Sequence, residues 1–130
     1  MSDSPFLLIP PEQWVASNEF AFAVRDRYPV SPGHTLLVPR RLVVTWFEAA
    51  REEQHALLEL LDVVKQSLDR ELHPAGYNIG FNAGAAAGQT VMHLHVHVIP
   101  RYPRDVEDPR GGVRGVIPSK QSYPQEGPGR

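Results

Sequence analysis

The sequence predicts an α+β fold in which short strands flank a single long helix. Three observations carry that expectation. Leu57, Leu61, Val64, Leu68 and Leu72 recur at helical spacing along one face. Leu94, Val96 and Val98 alternate with His93, His95 and His97, which is the period of a strand. Two apolar segments, 19–26 and 34–38, are separated by the turn-forming run Tyr28-Pro29-Val30-Ser31-Pro32-Gly33. A chain of 130 residues is the size of one ordinary domain, so a single core is expected.

Taken in order, Trp14 to Ala16 is the first strand candidate. Glu19 to Asp26 is the second, with aromatic and β-branched residues ending at a charged pair. His34 to Val38 is the third, stopped by Pro39, and it predicts an antiparallel pair with the second. In the helix, Leu58, Leu60 and Val63 widen the apolar stripe, while Glu52, Glu53, Glu59, Asp62, Lys65 and Asp69 mark the wet side. Thr45 and Glu48 fit a capping box, although the regular pattern begins nearer Arg51. Pro74 and Gly76 put the helix end near His73. Trp46 and Phe47 are read as packing residues. Tyr77 to Asn82 forms a short strand, and Val91 to Ile99 forms the last and clearest one. From Pro100 the texture changes. Residues 100–130 hold six of the thirteen prolines and five of the ten glycines, an irregular arm or partly mobile tail.

Composition narrows the function classes. Apolar residues make up 42% of the chain and charged residues 22%, a globular balance. No apolar run approaches the ~20 residues of a membrane helix. Met1 to Pro5 carries an acid and no basic stretch, which argues against a secretory signal. There is no cysteine, which excludes disulfides and thiolate zinc sites and fits a reducing, cytoplasmic setting. A net charge of −2 excludes a globally basic nucleic-acid surface. With eleven Arg and only Lys65 and Lys120, anion binding falls to Arg, His or backbone N–H groups.

The chemistry concentrates at His93, His95 and His97. In a strand these imidazoles share one face, and the intervening aliphatics point into the core. One reading is a half-exposed strand with polar residues outward. A second is a metal site, but His93 and His97 would lie about 13 Å apart at ~3.3 Å per residue. One zinc ion with bonds of ~2.0–2.1 Å does not span all three. A line of imidazoles suits an extended anion better. One nitrogen attacks phosphorus while its neighbours donate hydrogen bonds to the non-bridging oxygens. The preceding loop, Gly84-Ala85-Ala86-Ala87-Gly88-Gln89-Thr90, lets backbone N–H groups approach an oxyanion. It is not a Walker loop, because no lysine follows Gly88 and a strand comes next rather than a helix.

The segment His93-Leu94-His95-Val96-His97-Val98-Ile99-Pro100-Arg101 resembles the signature of the histidine-triad (HIT) family. Asp26 to Arg40 is similar to that family's earlier strand–turn–strand block, and Gly80 to Val91 to its lead-in. The likeness runs from about residue 14 to 101, and Asp108 to Arg114 resembles the tails of bacterial members. Within the family it points to dinucleoside polyphosphate hydrolases of the fragile-histidine-triad-like branch. The resemblance implies a small antiparallel sheet of about five strands with one long helix packed on it. Residues 1–105 would form the body, and 106–130 an irregular arm or tail of the same domain.

The same resemblance implies roles. His95 is the nucleophile that becomes nucleotidylated, His97 contacts the phosphate, His93 orients the line, and His34 is a fourth, supporting histidine. Asp26 holds the ribose hydroxyls. Asn82, Gly88, Gln89 and Thr90 meet the phosphates, and Val24 and Leu36 sandwich the base, for which adenine is expected. No metal site and no required cofactor are expected, with Mg²⁺ only as a companion of a polyphosphate substrate. A homodimer is expected through Tyr77 to Asn82 and the neighbouring helix, with no nucleic-acid or membrane partner. The predicted function is hydrolysis at the α-phosphate of a dinucleoside polyphosphate or nucleoside phosphoramidate, releasing a nucleoside monophosphate. Nucleotidyl transfer to another acceptor, a nucleotide-binding regulatory module and a zinc-binding protein remain open alternatives.

Overall fold

The structure is a computed structural model that describes residues 4–123. Five strands form one antiparallel sheet: β1 (Ala16–Ser17), β2 (Ala21–Arg25), β3 (Thr35–Pro39), β4 (Gly76–Gly80) and β5 (Val96–Arg101). Their spatial order is β1-β2-β3-β5-β4, so β5 lies between β3 and the outer strand β4. The helix α1 (Arg51–Leu72) packs across one face. Among the described residues no helix is long and apolar enough to cross a membrane.

The turn between β2 and β3 shows why glycine ends it. Gly33 has φ +88°, and a Cβ there would stand 2.7 Å from Leu72 Cδ1 and 2.9 Å from Leu68 Cδ2. Only glycine fits both the left-handed backbone and the space beneath the helix. The pair that follows is in full register, from Ala21 opposite Pro39 to Arg25 opposite Thr35.

The helix runs as its period predicts, but its stripe is rotated. Ala56, Leu57, Leu60, Val64 and Leu68 are buried with Ala23, Leu37 and Val98 of the sheet. Leu58 and Val63, expected to widen the stripe, are 51% and 53% exposed, and Leu72 is 38% exposed. Glu53, expected on the wet side, is buried. Arg41 donates to it twice, Nε to Oε2 at 3.0 Å and Nη2 to Oε1 at 2.8 Å. Its Oε1 also accepts the Ala50 N–H at 2.7 Å, which caps the first turn. The Thr45–Glu48 capping box belongs instead to a separate 3-10 turn at Trp46–Glu48. Trp46 stacks on Phe81, whereas Phe47 projects outward at 75% exposure. His73 closes α1 in the left-handed conformation, directly before Pro74.

The expected start of the last strand needs correction. The last strand begins at Val96 rather than Val91, because the β3 ladder reaches back only to the pair Leu37–Val96. Among the described residues the arm after β5 holds no α-helix or strand. It forms 3-10 turns at Gly112–Val116 and Pro118–Lys120, tied by Arg114 to the Gln121 and Lys120 carbonyls. The remainder of the predicted tail, 124–130, lies outside the described residues.

Candidate active site

Leu94, Val96 and Val98 belong to the core beneath α1, so alternation turns the three histidines to the other face. That face carries a second apolar cluster, Phe6, Phe22, Val24, Leu36 and Val38, with Ile9, Trp14 and Val91 packed on it. The alternation survives although His93 and His95 precede the ladder. Their segment is pinned instead by single bonds, including Leu94 N–H to the Val43 carbonyl at 2.8 Å.

Hydrogen-bond partners fix how each imidazole carries its proton, because a carbonyl only accepts and a backbone N–H only donates. His95 Nδ1 lies 2.8 Å from the His93 carbonyl. Nδ1 therefore holds the proton, and Nε2 presents a lone pair. His34 Nδ1 accepts the Val30 N–H at 3.1 Å, so its proton sits on Nε2. That Nε2–H donates to His97 Nδ1 at 2.9 Å. His97 is thereby left with Nε2–H, a donor. Adjacent members of the line thus hold opposite tautomers: His95 offers an electron pair and His97 a proton. Their ring centroids are 5.1 Å apart.

Burial holds His34, His93 and His97 toward the neutral form. It pulls the pKa of His97 from 6.5 down to about 4, helped by the neighbouring His95 and His34. Burial also lowers His34, against the opposing pull of the Asp26 carboxylate. It lowers His93 as well, against the carbonyl of Pro39. Asp26 sits among them: its Oδ2 is 3.4 Å from His34 Nε2, and its Oδ1 accepts the Tyr28 N–H at 2.7 Å.

Asp26, His34 and His97 each bring a ligand-type atom, all within 4.8 Å of one another. A metal there would need the Nε2 lone pair of His34. A metal-bound imidazole donates through its other nitrogen. Here Val30 N–H points at that other nitrogen and forces the opposite tautomer. The donor set fits a hydrogen-bond relay, not a cation.

The loop before the triad turns tightly at Gly84 and Gly88, with φ of +98° and +102°. A cavity of about 520 Å³ opens beside His34 and His97. Ile99 lines it from β5, Asn82 from the segment just past β4, and Val113 and Val116 from the arm. The arm therefore lies over the groove next to His97.

The HIT domain family matches residues 9–104. The chain belongs to the HIT family. An uncharacterized HIT-like protein of Mycoplasma pneumoniae is 42% identical over 88 residues, which are 68% of this chain and 61% of that relative. A protein of Mycobacterium tuberculosis named AP-4-A phosphorylase is 35% identical over 92 residues, 70% of this chain and 47% of its own length. This chain thus spans roughly half to three-fifths of the length of these relatives. The crystal structure of a HIT family protein from Bacillus anthracis superimposes with a TM-score of 0.74 at 30% identity, covering 80% of this chain and 77% of that one.

The HIT resemblance assigned eleven positions, and the fold treats them unequally. His34, His95, His97 and Asp26 come together, and Asn82 lines the adjoining cavity. Gly88 and Thr90 are exposed on the loop. His93 is fully buried, its Nε2–H donating to the Pro39 carbonyl at 2.9 Å. Gln89 departs from expectation. Its side chain is 3% exposed and fully engaged: Oε1 accepts the Gly84 N–H, while Nε2 donates to the Val44 and Val91 carbonyls. It staples the loop, and a phosphate contact would cost those bonds. Val24 and Leu36 are present on the histidine face but lie under Phe6. Phe6 itself was missed by sequence reasoning, although its ring lies 5.0 Å from that of His95. A single aromatic in a Pro-rich stretch has no period to announce it. The arm valines were missed for the same reason.

Proposed function

We propose that the protein is a nucleotide hydrolase acting at an α-phosphate through a nucleotidyl-His95 intermediate. The observation that carries the reading is the pair of opposite tautomers at His95 and His97. The Nε2 lone pair of His95 attacks phosphorus, forming a P–N bond as the bond to the leaving group breaks. The leaving group departs with that electron pair. The His93 carbonyl, already accepting His95 Nδ1–H, offsets the positive charge the ring acquires. His97 Nε2–H donates to a non-bridging oxygen where charge grows. Water then attacks phosphorus and gives up a proton to bulk solvent, the P–N electron pair returns to Nε2, and a nucleoside monophosphate leaves.

Binding in this reading falls to Asp26 at the ribose, to Asn82, Gly88 and Thr90 at the phosphates, and to a base seat bounded by Val24, Leu36 and Phe6. Adenine dinucleotides and adenosine phosphoramidate are the substrate classes proposed, with Mg²⁺ only as the polyphosphate's counterion. The reaction is assigned to the cytoplasm. A homodimer is part of the proposal, since β4 is the outer strand, and Ile79 on that strand and Leu58 on α1 stand 39% and 51% exposed. Sedimentation showing only monomer at micromolar concentration would remove that element.

The test is a panel of diadenosine tri- and tetraphosphate and adenosine phosphoramidate with AMP release measured, joined to rapid quench. An acid-labile, hydroxylamine-resistant nucleotidyl adduct on His95 is expected. Absence of turnover across the panel would overturn the reading. A second reading, transfer to an acceptor other than water, is favoured by the name of the mycobacterial relative. Added inorganic phosphate would then divert the product from AMP to ADP.

A further inference from the structure

The nucleophile stands just outside the sheet, so something other than the ladder must hold it. Its ring is oriented by the carbonyl of His93. His93 in turn is held by its side chain at both nitrogens. Nε2–H donates to the Pro39 carbonyl at 2.9 Å, which leaves Nδ1 as an acceptor. Ser4 Oγ lies 2.6 Å from that Nδ1. Because that Nδ1 can only accept, the Ser4 hydroxyl donates to it, while the same oxygen accepts the Phe6 N–H at 3.2 Å. Ser4 and His93 are 6% and 0% exposed, so water does not compete for these bonds. The same Ser4 caps the 3-10 turn Pro5–Leu8 that lays Phe6 against the His95 ring.

We infer that Ser4 is a positioning residue for the nucleophile, holding His93 in the Nε2–H tautomer and thereby fixing the carbonyl that orients His95. The inference rests on the reading of His95 as nucleophile for its kinetic arm, but not for its spectroscopic one. Without the Ser4 hydroxyl, His93 Nδ1 is buried with no donor, and the ring is free to exchange tautomers or turn. The carbonyl then wanders, and the His95 lone pair loses its aim.

The test compares Ser4→Ala and Ser4→Thr with wild type by steady-state kinetics and by ¹⁵N NMR of the histidine rings. For Ser4→Ala, kcat should fall about tenfold, with KM within about twofold, since misaiming a bound reactant slows chemistry rather than binding. The His93 Nδ1 and His95 Nδ1–H signals should shift or broaden. Ser4→Thr keeps the hydroxyl and should restore both. If Ser4→Ala keeps kcat within about twofold of wild type and the ring signals stay put, the inference fails. Equal losses of kcat, KM and thermal stability in both variants would also overturn it, showing Ser4 to be packing alone. A wild type inert toward every substrate would defeat the proposed function instead, leaving the ring signals to judge Ser4.

Discussion

The four histidines of the site are held in two different ways. His97 lies within β5, opposite Leu36 on one side and Gly80 on the other, and His34 immediately precedes β3. Their bond to each other is therefore braced by the central ladders of the sheet. His93 and His95 come before β5 starts and are located by bonds from Ser4, Pro39 and Val43. The difference follows the tasks proposed for each pair. A donor that stabilises developing charge works best when it does not move. A nucleophile must follow phosphorus as a bond forms and is later released, and a ring hung from one carbonyl can do so.

The largest break in this comparison should come from His95→Ala. Product release should fall by at least about 10³-fold, because the bond-forming atom is gone. Nucleotide affinity should stay within about tenfold, since other groups supply it. Turnover retained in folded His95→Ala protein would end the mechanism. His97→Ala should cost less, on the order of 10²-fold in kcat, as for loss of one oxyanion donor. If it abolished the adduct altogether, the two histidines would have to exchange roles.

Asp26 sharpens the braced half. Asp26→Ala should weaken ribonucleotides by roughly 1–3 kcal/mol, the scale of a charged hydrogen bond. Binding of 2′,3′-dideoxy analogues should hardly change. Equal losses for both sugars would mean that Asp26 acts through His34, 3.4 Å away, rather than through ribose. The smallest effect concerns pH. His34, His93 and His97 are all lowered from 6.5, His97 to about 4. Between those values the unfolded chain takes up protons that the folded chain refuses. Stability should therefore be complete above about pH 6.5 and decline as pH falls toward about 4. Thermal unfolding midpoints across that range would check it, and a flat profile would show that these rings are not held neutral.

How much of this was legible depended on period. The helix declared itself within a residue at each end, and the β2–β3 hairpin at its turn. Sidedness was harder. Leu58 and Val63 look as apolar as Leu60, and only the crossing of α1 over the sheet decides which of them is covered. Glu53 read as a surface acid because its partner Arg41 comes from a different segment. In the site, the three histidines were visible through strict alternation, and the start of β5 was not, since extended backbone looks the same with or without a ladder partner. Gln89 could be seen beside the loop, but the direction of its amide could not. Phe6 and Ser4 carried no pattern, because irregular segments are placed by their contacts rather than by repetition.

One of those contacts bears on the order of assembly. Ser4 and His93 are 89 positions apart in sequence. The helix and the β2–β3 hairpin need only neighbours, whereas joining distant segments costs chain entropy before any contact repays it. The Ser4 clamp is thus expected among the last pieces to form on refolding. A refolding chain should recover its far-ultraviolet dichroism first and its turnover afterwards, passing through a stage with secondary structure but an unaimed nucleophile.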